Sequence, residues 1–342
     1  ALAELLLSGC TFAADHHYLF PTQLHDAIDI QVDAAQALGL RVMLTRGSMS
    51  LGQNEGGLPP QHTVQQMQVI LDDSQRLVER YHQRGAGAMV NIALAPCSPF
   101  SVTRDIMRES ASMAQSLDVR LHTHLAETLD EEQFCLQRFG MRTVDYLEDV
   151  GWLQKRTWLA HGIHFNAQEI SRLGQAEVGI CHCPHSNMRL ASGICPSLDL
   201  IDAGAKIGLG VDGSASGDAS NLILEARQAL YLQRLKYGAE KITPQLALGF
   251  ATTGSAEILG RSQDLGQIQV GYQADLACYR LDELKFSGSH DPIAALLLCG
   301  ADRADAVMVA GLWRVREGQI QGLDLEKLKY QHRRAATALM KA

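Results

Sequence analysis

The 342 residues carry a formal net charge of −8, and Lys and Arg form no basic stripe of the kind that binds nucleic-acid phosphates. The apolar runs fall short of the roughly 18 residues needed to cross a bilayer. An ordinary composition, with 46% hydrophobic residues and scattered cysteines, is typical of a cytoplasmic enzyme with reduced thiols. We therefore expect neither a nucleic acid nor a membrane as its partner.

Apolar runs rich in β-branched residues alternate with helical periodicity from residue 11 to about residue 212, which indicates parallel strands joined by crossover helices. The amphipathic stretch 63–83 is expected to cover the outside of a barrel, and the Gly- and Pro-rich stretch 47–62 is expected to be a long loop. Seven strands are predicted, at residues 11–15, 41–45, 89–95, 119–124, 157–161, 178–183 and 206–212.

Two further helices are predicted beyond residue 212, at 220–236 and 244–260. Short extended pieces with Gly turns follow at 266–281 and 307–320, which indicates one side of a small β-domain. The length suits one α/β barrel of roughly 250 residues with an appendage. The predicted fold is therefore an α/β fold with three parts: a (β/α)8 TIM-type barrel at 1–262, part of a β-sandwich domain at 263–325, and a C-terminal helix at 326–342.

Three predicted strands end in side chains that can bind a metal or move a proton. Reactive groups of parallel barrels collect at the C-terminal ends of the strands. These groups are His122, His124 and Glu127, then His161, then Asp212. A divalent metal held by imidazole and carboxylate, with a position left for water, lowers the pKa of that water towards neutrality. Glu127 could then carry its proton.

Each of these residues also has an ordinary structural interpretation. A lone histidine on a strand is more often a hydrogen-bonded core residue than a ligand. An aspartate before a glycine, as at Asp212, usually marks a turn. Their order, with each at the end of its own predicted strand, nevertheless favours a shared site.

Several motifs carry a family resemblance: HTHLAE, LAHGIH, CPHSNMRLASG, GLGVDGSASGDASNL and DLGQIQVGYQADLACY. Together they resemble the amidohydrolase superfamily, in its deaminase and s-triazine hydrolase branch. Within that branch, the segments SGCTFAADHHYLFP, LTRGSMSLGQNEGGLPP and LAPCSPFSVT are most similar to deaminases of 8-oxoguanine.

This resemblance implies that His124 and Asp212 are metal ligands, that Glu127 is a proton shuttle, and that His161 orients or polarises the water at the metal. Asp212 would also act as a base. The resemblance implies one divalent metal, with zinc expected and iron or manganese left open.

The implied reaction is hydrolytic deamination of 8-oxoguanine to urate and ammonia, in which a metal-bound hydroxide attacks the amidine carbon. A homo-oligomer acting on a purine or purine-like small molecule is expected. Guanine, adenosine-like compounds and s-triazines are alternative substrates. A metal-free barrel with a structural or interaction role is the alternative from another class.

Members of this family take two further metal ligands from an HxH pair on the first barrel strand. His16 and His17 cannot replace that pair, because adjacent residues of a strand point to opposite faces. We therefore expect the HxH pair, the first of eight strands and the rest of the β-domain to lie upstream of Ala1.

Four residues are candidate substrate contacts: Arg46, Cys97, His185 and Asn187. Arg46 could donate to a purine carbonyl, since its planar fork suits paired acceptors, or it could form a structural ion pair. Cys97 follows a strand where related deaminases of adenosine-like substrates often have His, or it could be a buried thiol. Asn187 is expected to shape the loop near the metal.

Overall fold

The computed structural model describes residues 1–21 and 24–341. A curled seven-stranded parallel sheet forms its centre, and the spatial order of the strands follows the chain order. The strands are β1 Phe12–Ala14, β2 Arg41–Ser48, β3 Val90–Pro96, β4 Arg120–Leu125, β5 Thr157–His161, β6 Gly179–His182 and β7 Lys206–Leu209. All seven predicted strands are thus confirmed, in the arrangement of a TIM-type barrel.

Helices connect these strands, because each parallel pair needs a crossover. Two π-helical segments, Phe250–Gly254 and Ala295–Gly300, directly follow the helices Pro244–Gly249 and Pro292–Ala294. The helices are α1 Leu2–Leu7, α2 Ala27–Leu38, α3 Met67–Tyr81, α4 Arg104–Leu117, α5 Leu129–Phe139, α6 Thr143–Asp149, α7 Ala167–Gln175, α8 Pro184–Arg189, α9 Ser197–Ala203, α10 Ser214–Gly217, α11 Leu222–Tyr237, α12 Pro244–Gly249, α13 Ser255–Ile258, α14 Pro292–Ala294 and α15 Leu325–Leu339.

Two strand ends differ from the prediction by three residues, and the other strand ends differ by no more than one. Strand β2 runs on to Ser48, so Gly47 and Ser48 belong to the sheet and not to the following loop. Strand β7 ends at Leu209, which leaves Asp212 in the loop beyond the strand. The predicted loop also contains two short 3-10 turns, Gln53–Glu55 and Gln61–Thr63.

A small antiparallel sheet follows the barrel and confirms the predicted change to short strands. Its order is β11-β10-β9-β8. The strands are β8 Leu276–Cys278, β9 Ala306–Val309, β10 Leu312–Arg316 and β11 Gln319–Ile320. A buried two-pronged ion pair, in which Arg41 Nε and Nη2 each lie 3.0 Å from a carboxylate oxygen of Asp275, ties this region to β2. The boundaries between the predicted barrel, β-sandwich part and C-terminal helix, at residues 262 and 325, stay a prediction.

Side chains of the parallel strands alternate between two packed layers, as the pleat requires. On β2, Val42 and Leu44 belong to the large cluster shared with the surrounding helices. Met43 belongs to a separate cluster with Trp158 and Ile258 inside the barrel. This alternation decides which residues can face the site. Within the described part of the chain, no helix combines the length and apolarity needed to span a membrane.

Candidate active site

Three candidate residues meet at one end of the barrel. His124 from β4, His161 from β5 and Asp212 from the loop after β7 each offer a ligand atom, and these atoms lie within 4.8 Å of one another. The rings of His124 and His161 stack with their centroids 5.4 Å apart. They come together because parallel strands place their carboxyl ends at the same rim.

The backbone at this rim adopts conformations that side-chain-bearing residues rarely take. His161, Asp212 and Ala126 have φ angles of 70°, 59° and 54°. Left-handed residues other than glycine cost energy and cluster at functional sites, where the surrounding structure holds them. At Asp212 the carboxylate oxygen Oδ1 also accepts from the amide of Gly213 at 2.7 Å, so this residue forms a turn as well as part of the cluster.

Hydrogen bonds fix the tautomers of the two histidines. His124 Nδ1 lies 2.8 Å from the carbonyl oxygen of Cys97, and His161 Nδ1 lies 2.9 Å from Oδ1 of Asn187. Both partners are acceptors, so each Nδ1 carries the proton and each Nε2 keeps its lone pair. Burial lowers the pKa of both imidazoles. Both rings are therefore neutral and ready to bind a cation through Nε2.

The carboxylate of Asp212 is held ionised. Burial alone would raise its pKa, but attraction to the His161 ring, which is protonated only at low pH, and hydrogen bonds from Ser186 and Ser216 outweigh burial and leave the pKa below its usual value. Ser186 Oγ donates to Asp212 Oδ2 at 2.5 Å and Ser216 Oγ donates to the same oxygen at 2.8 Å. The two serines were not among the predicted site residues.

Glu127 faces this cluster from the turn after β4. Its Oε2 lies 3.5 Å from His161 Nε2, and Ser192 Oγ donates to its Oε1 at 3.5 Å. Burial raises the pKa of Glu127. A carboxyl group with a raised pKa is suited to carry a proton near neutral pH.

His122 and His16 also lie inside the barrel. His122 Nδ1 lies 2.9 Å from the carbonyl oxygen of Trp158, and its ring stacks on that indole, so it is a packing residue. The His16 ring stacks on His124 with centroids 4.4 Å apart, whereas His17 Nε2 lies 2.9 Å from the carbonyl oxygen of Leu19. Both residues lie beyond the end of β1 at Ala14, so strand alternation does not apply to them, but their side chains still take different directions and His16 joins the surroundings of the site.

The structure places Arg46 away from the cluster. Because β2 is longer than predicted, Arg46 lies within the strand, with its side chain on the helix-covered face. Its Nε donates to Asp73 at 2.6 Å and its Nη2 donates to Gln65 at 3.1 Å. The guanidinium also lies over the ring of Phe20. Of the two interpretations, the structure favours the structural ion pair, so Arg46 is removed from the proposed substrate contacts.

The other three candidate contacts surround the cluster in different ways. Cys97 is buried, with Sγ 3.9 Å from His124 Nδ1, and burial raises the pKa of its thiol to about 12. Asn187, on α8, holds His161. The amide of His185 donates to the buried carboxylate of Glu225 at 3.0 Å, and its half-exposed ring reaches the surface.

Two neutral imidazoles and one ionised carboxylate form a donor set that suits Zn²⁺, Fe²⁺ or Mn²⁺. The hydrogen bonds from Nδ1 of both rings, and those to Asp212, are the outer support that metal ligands usually have. The cluster is therefore able to bind a divalent metal.

Comparison with known proteins agrees with this site. The family described as "Amidohydrolase family" matches residues 1–313. An 8-oxoguanine deaminase of Pseudomonas aeruginosa is 72% identical over 340 residues, covering 99% of this chain and 76% of that protein. An isoxanthopterin deaminase from an unknown prokaryotic organism is 34% identical over 359 residues, covering 99% of this chain and 74% of that protein.

Among solved structures, an atrazine chlorohydrolase from Arthrobacter aurescens TC1, in complex with zinc, superposes with a TM-score of 0.93 at 36% identity. The match covers 96% of this chain and 74% of that one. The motifs, the barrel and the cluster at its rim agree with these likenesses, and the chain belongs to the amidohydrolase family.

Proposed function

We propose that this protein is a metal-dependent deaminase that converts 8-oxoguanine and water to urate and ammonia. The observation that carries the proposal is the convergence of His124, His161 and Asp212 within 4.8 Å, with Glu127 facing His161. The substrate is proposed from the 72% identity to an 8-oxoguanine deaminase.

His124 and Asp212 would hold the metal, and we propose zinc, in line with the zinc complex of the similar chlorohydrolase. When bound, such a metal supplies Lewis acidity that makes water a usable nucleophile at neutral pH. His161, with its lone pair on Nε2 and its ring fixed by Asn187, would orient that water.

Two carboxyl groups would share the proton transfers. Glu127 takes a proton from the attacking water and delivers it to the ring nitrogen next to the amidine carbon. The new C–O bond forms at that carbon, and the bond to its exocyclic nitrogen breaks. Asp212 accepts the second proton and passes it to the departing amine, so that ammonia leaves and urate remains.

Cys97 and His185 are proposed to contact the substrate. Asn187 is assigned to orienting His161, since its Oδ1 is occupied by that ring.

A cytoplasmic location and a homo-oligomeric state are also proposed. Five of the eight cysteines are buried as free thiols, Cys10, Cys97, Cys135, Cys183 and Cys195, which suits a reducing compartment.

The test is ammonia release by protein expressed from the complete gene, with 8-oxoguanine, guanine, S-adenosylhomocysteine and hydroxyatrazine as separate substrates. The highest kcat/KM is expected for 8-oxoguanine, and preference for another of the four would overturn the substrate assignment. Glu127→Gln should abolish most turnover without loss of metal.

Metal analysis of the same protein tests the metal-free alternative. We expect about one equivalent of zinc, lost in His124→Ala. Chelation should lower the melting temperature, because a ligand at 100 times its Kd stabilises the folded state by about 2.7 kcal/mol. Less than about half an equivalent of metal, with no ammonia from any substrate, would favour a scaffold protein.

A further inference from the structure

Glu131 is a buried carboxyl group that lies behind the site and does not touch the metal cluster. It is in the first turn of α5 and is 2% exposed. Its Oε1 accepts from the amide of Ala126 at 2.8 Å, and its Oε2 accepts from the amide of Glu127 at 3.3 Å. One side chain thus binds both amides of the turn that carries the proposed proton carrier.

The local sequence explains how Glu131 reaches this turn. Thr128 caps α5, with its side chain accepting from the amide of Glu131 at 3.3 Å. A Glu three residues after such a cap usually returns to the amide of the cap residue. Here the carboxylate reaches further back, onto the two residues that precede the cap. Burial raises the pKa of Glu131 to about 8, although the hydrogen bonds from the Ala126 and Glu127 amides and the positive end of the α5 dipole favour the ionised carboxylate.

The turn needs such support because Ala126 has a φ of 54°. A non-glycine residue in this region persists only when its surroundings hold it. The carbonyl oxygen of Ala126 accepts from the amides of Ile163 and His164, each at 2.9 Å. Glu131 accepts from the amide of Ala126 itself. Both the amide and the carbonyl group of Ala126 are therefore held by hydrogen bonds, which we call the clamp of this turn. The Glu127 side chain projects from this turn towards His161.

We infer that Glu131 is a positioning residue, which acts on the reaction through Glu127 by fixing the turn from which the proton carrier projects. The inference rests on the proposed function, because it assumes that Glu127 transfers protons during the deamination. Neither His124 nor Asp212 contacts Glu131 through a hydrogen bond, so its effect should be separable from metal binding.

The neighbouring residue Glu132 provides a matched control. It lies one position along the same helix, and its carboxylate pairs with Arg142 instead of the turn. Glu131→Met removes both acceptors at similar side-chain length, and Glu131→Gln keeps one acceptor. Glu132→Gln changes the same helix turn without touching the turn that carries Glu127.

The experiment compares kcat, KM, zinc content and melting temperature for these variants on 8-oxoguanine. Removal of the acceptor from a buried amide corresponds to roughly a 5- to 140-fold loss where the cost falls on the reaction. We expect that fall in kcat for Glu131→Met, a smaller fall for Glu131→Gln, and wild-type kcat for Glu132→Gln, with KM and zinc content unchanged. The solvent deuterium isotope effect on kcat should rise in Glu131→Met, because proton transfer becomes slower.

A double-mutant cycle separates positioning from a general structural role. Combined with Glu127→Gln, the Glu131→Gln change should cost less than about twofold, because residues that act through one another are not additive. Should Glu131→Met not fold, the Gln variant still gives the cycle and the isotope effect.

Three results are distinguishable. Equal losses from Glu131→Gln in both backgrounds, or losses that follow zinc content, would overturn the inference. Wild-type activity in Glu131→Gln with an unchanged isotope effect would also overturn it. If the unaltered protein releases no ammonia from 8-oxoguanine, or Glu127→Gln is fully active, it is the proposed function that fails.

Discussion

The hydrogen bond between His161 and Asn187 gives a sharp test of how the site is held. Asn187→Ala removes the acceptor for His161 Nδ1, which is 2.9 Å away. His161 is only 1% exposed, so water cannot readily take the place of the amide. The main-chain bonds of Asn187 to Cys183 and Ser192 survive the change, so α8 should stay in place.

The magnitude follows from the burial of that N–H group. Leaving a buried donor unpaired costs about 1–3 kcal/mol, and about 1.4 kcal/mol corresponds to a factor of ten. If this cost falls on the orientation of His161 during the reaction, kcat/KM should drop by roughly 5- to 140-fold. Initial rates of ammonia release over a range of 8-oxoguanine concentrations measure it.

Two further variants complete this test. Asn187→Asp keeps an acceptor at the same place and should recover more activity than the alanine variant. Asn166→Ala removes another asparagine that also accepts a hydrogen bond, but at the start of α7. It should cost about 1 kcal/mol of stability and leave kcat/KM unchanged. An Asn187→Ala protein with kcat/KM within twofold of wild type would refute the reasoning.

Two stability predictions follow from other parts of the barrel. Glycine to alanine inside a helix ordinarily stabilises by up to about 1 kcal/mol, but in Gly174→Ala the new Cβ would lie 2.0 Å from the carbonyl oxygen of Ala203. We expect a loss of about 1–3 kcal/mol instead, measured by chemical denaturation. Arg76 lowers the pKa of Asp29 from 3.8 to about 2. A depressed carboxyl pKa stabilises the fold above the unfolded value, so this contribution should disappear as the pH falls from about 4 to about 2, and Asp29→Asn should flatten the acid limb of a melting-temperature profile.

Both predictions have a control elsewhere in the chain. At Gly249, in α12, an added Cβ would meet only Thr253 Oγ1 at 3.8 Å, so Gly249→Ala should be neutral or stabilising. A stabilised Gly174→Ala would show that α7 and α9 can separate at little cost. Asp33→Asn, at an exposed position of α2, should leave the acid limb as it is, and an equal effect at both aspartates would contradict the Asp29 assignment.

Local patterns in the sequence were sufficient to predict the barrel and the chemistry at its rim. Strand positions depend on short apolar runs and turn residues, which are local, and the parallel order places all strand ends together. His124, Glu127, His161 and Asp212 could therefore be predicted as one site before any contact was known. The resemblance to the amidohydrolase family implied the catalytic or metal-binding role of each of these residues.

Other features depended on contacts between distant segments, which no local pattern reveals. Arg46 looked like a strand-end donor, yet the added length of β2 and the approach of Asp73 on α3 direct it to the helix layer. Ser186 and Ser216 were missed because serines in loops are common. Their convergence on Asp212 exists only after β6 and β7 pair.

Glu131 lies between these two cases. The TLDE sequence is a recognisable helix start, so a structural role for Glu131 was available from the sequence. Which amides its carboxylate binds was decided by the left-handed turn at Ala126, and that turn is held by the loop after β5. The sequence by itself determined the strands, their order and the identity of the reactive groups. Tertiary packing decided their orientation and support, because both depend on backbone groups brought together from separate strands.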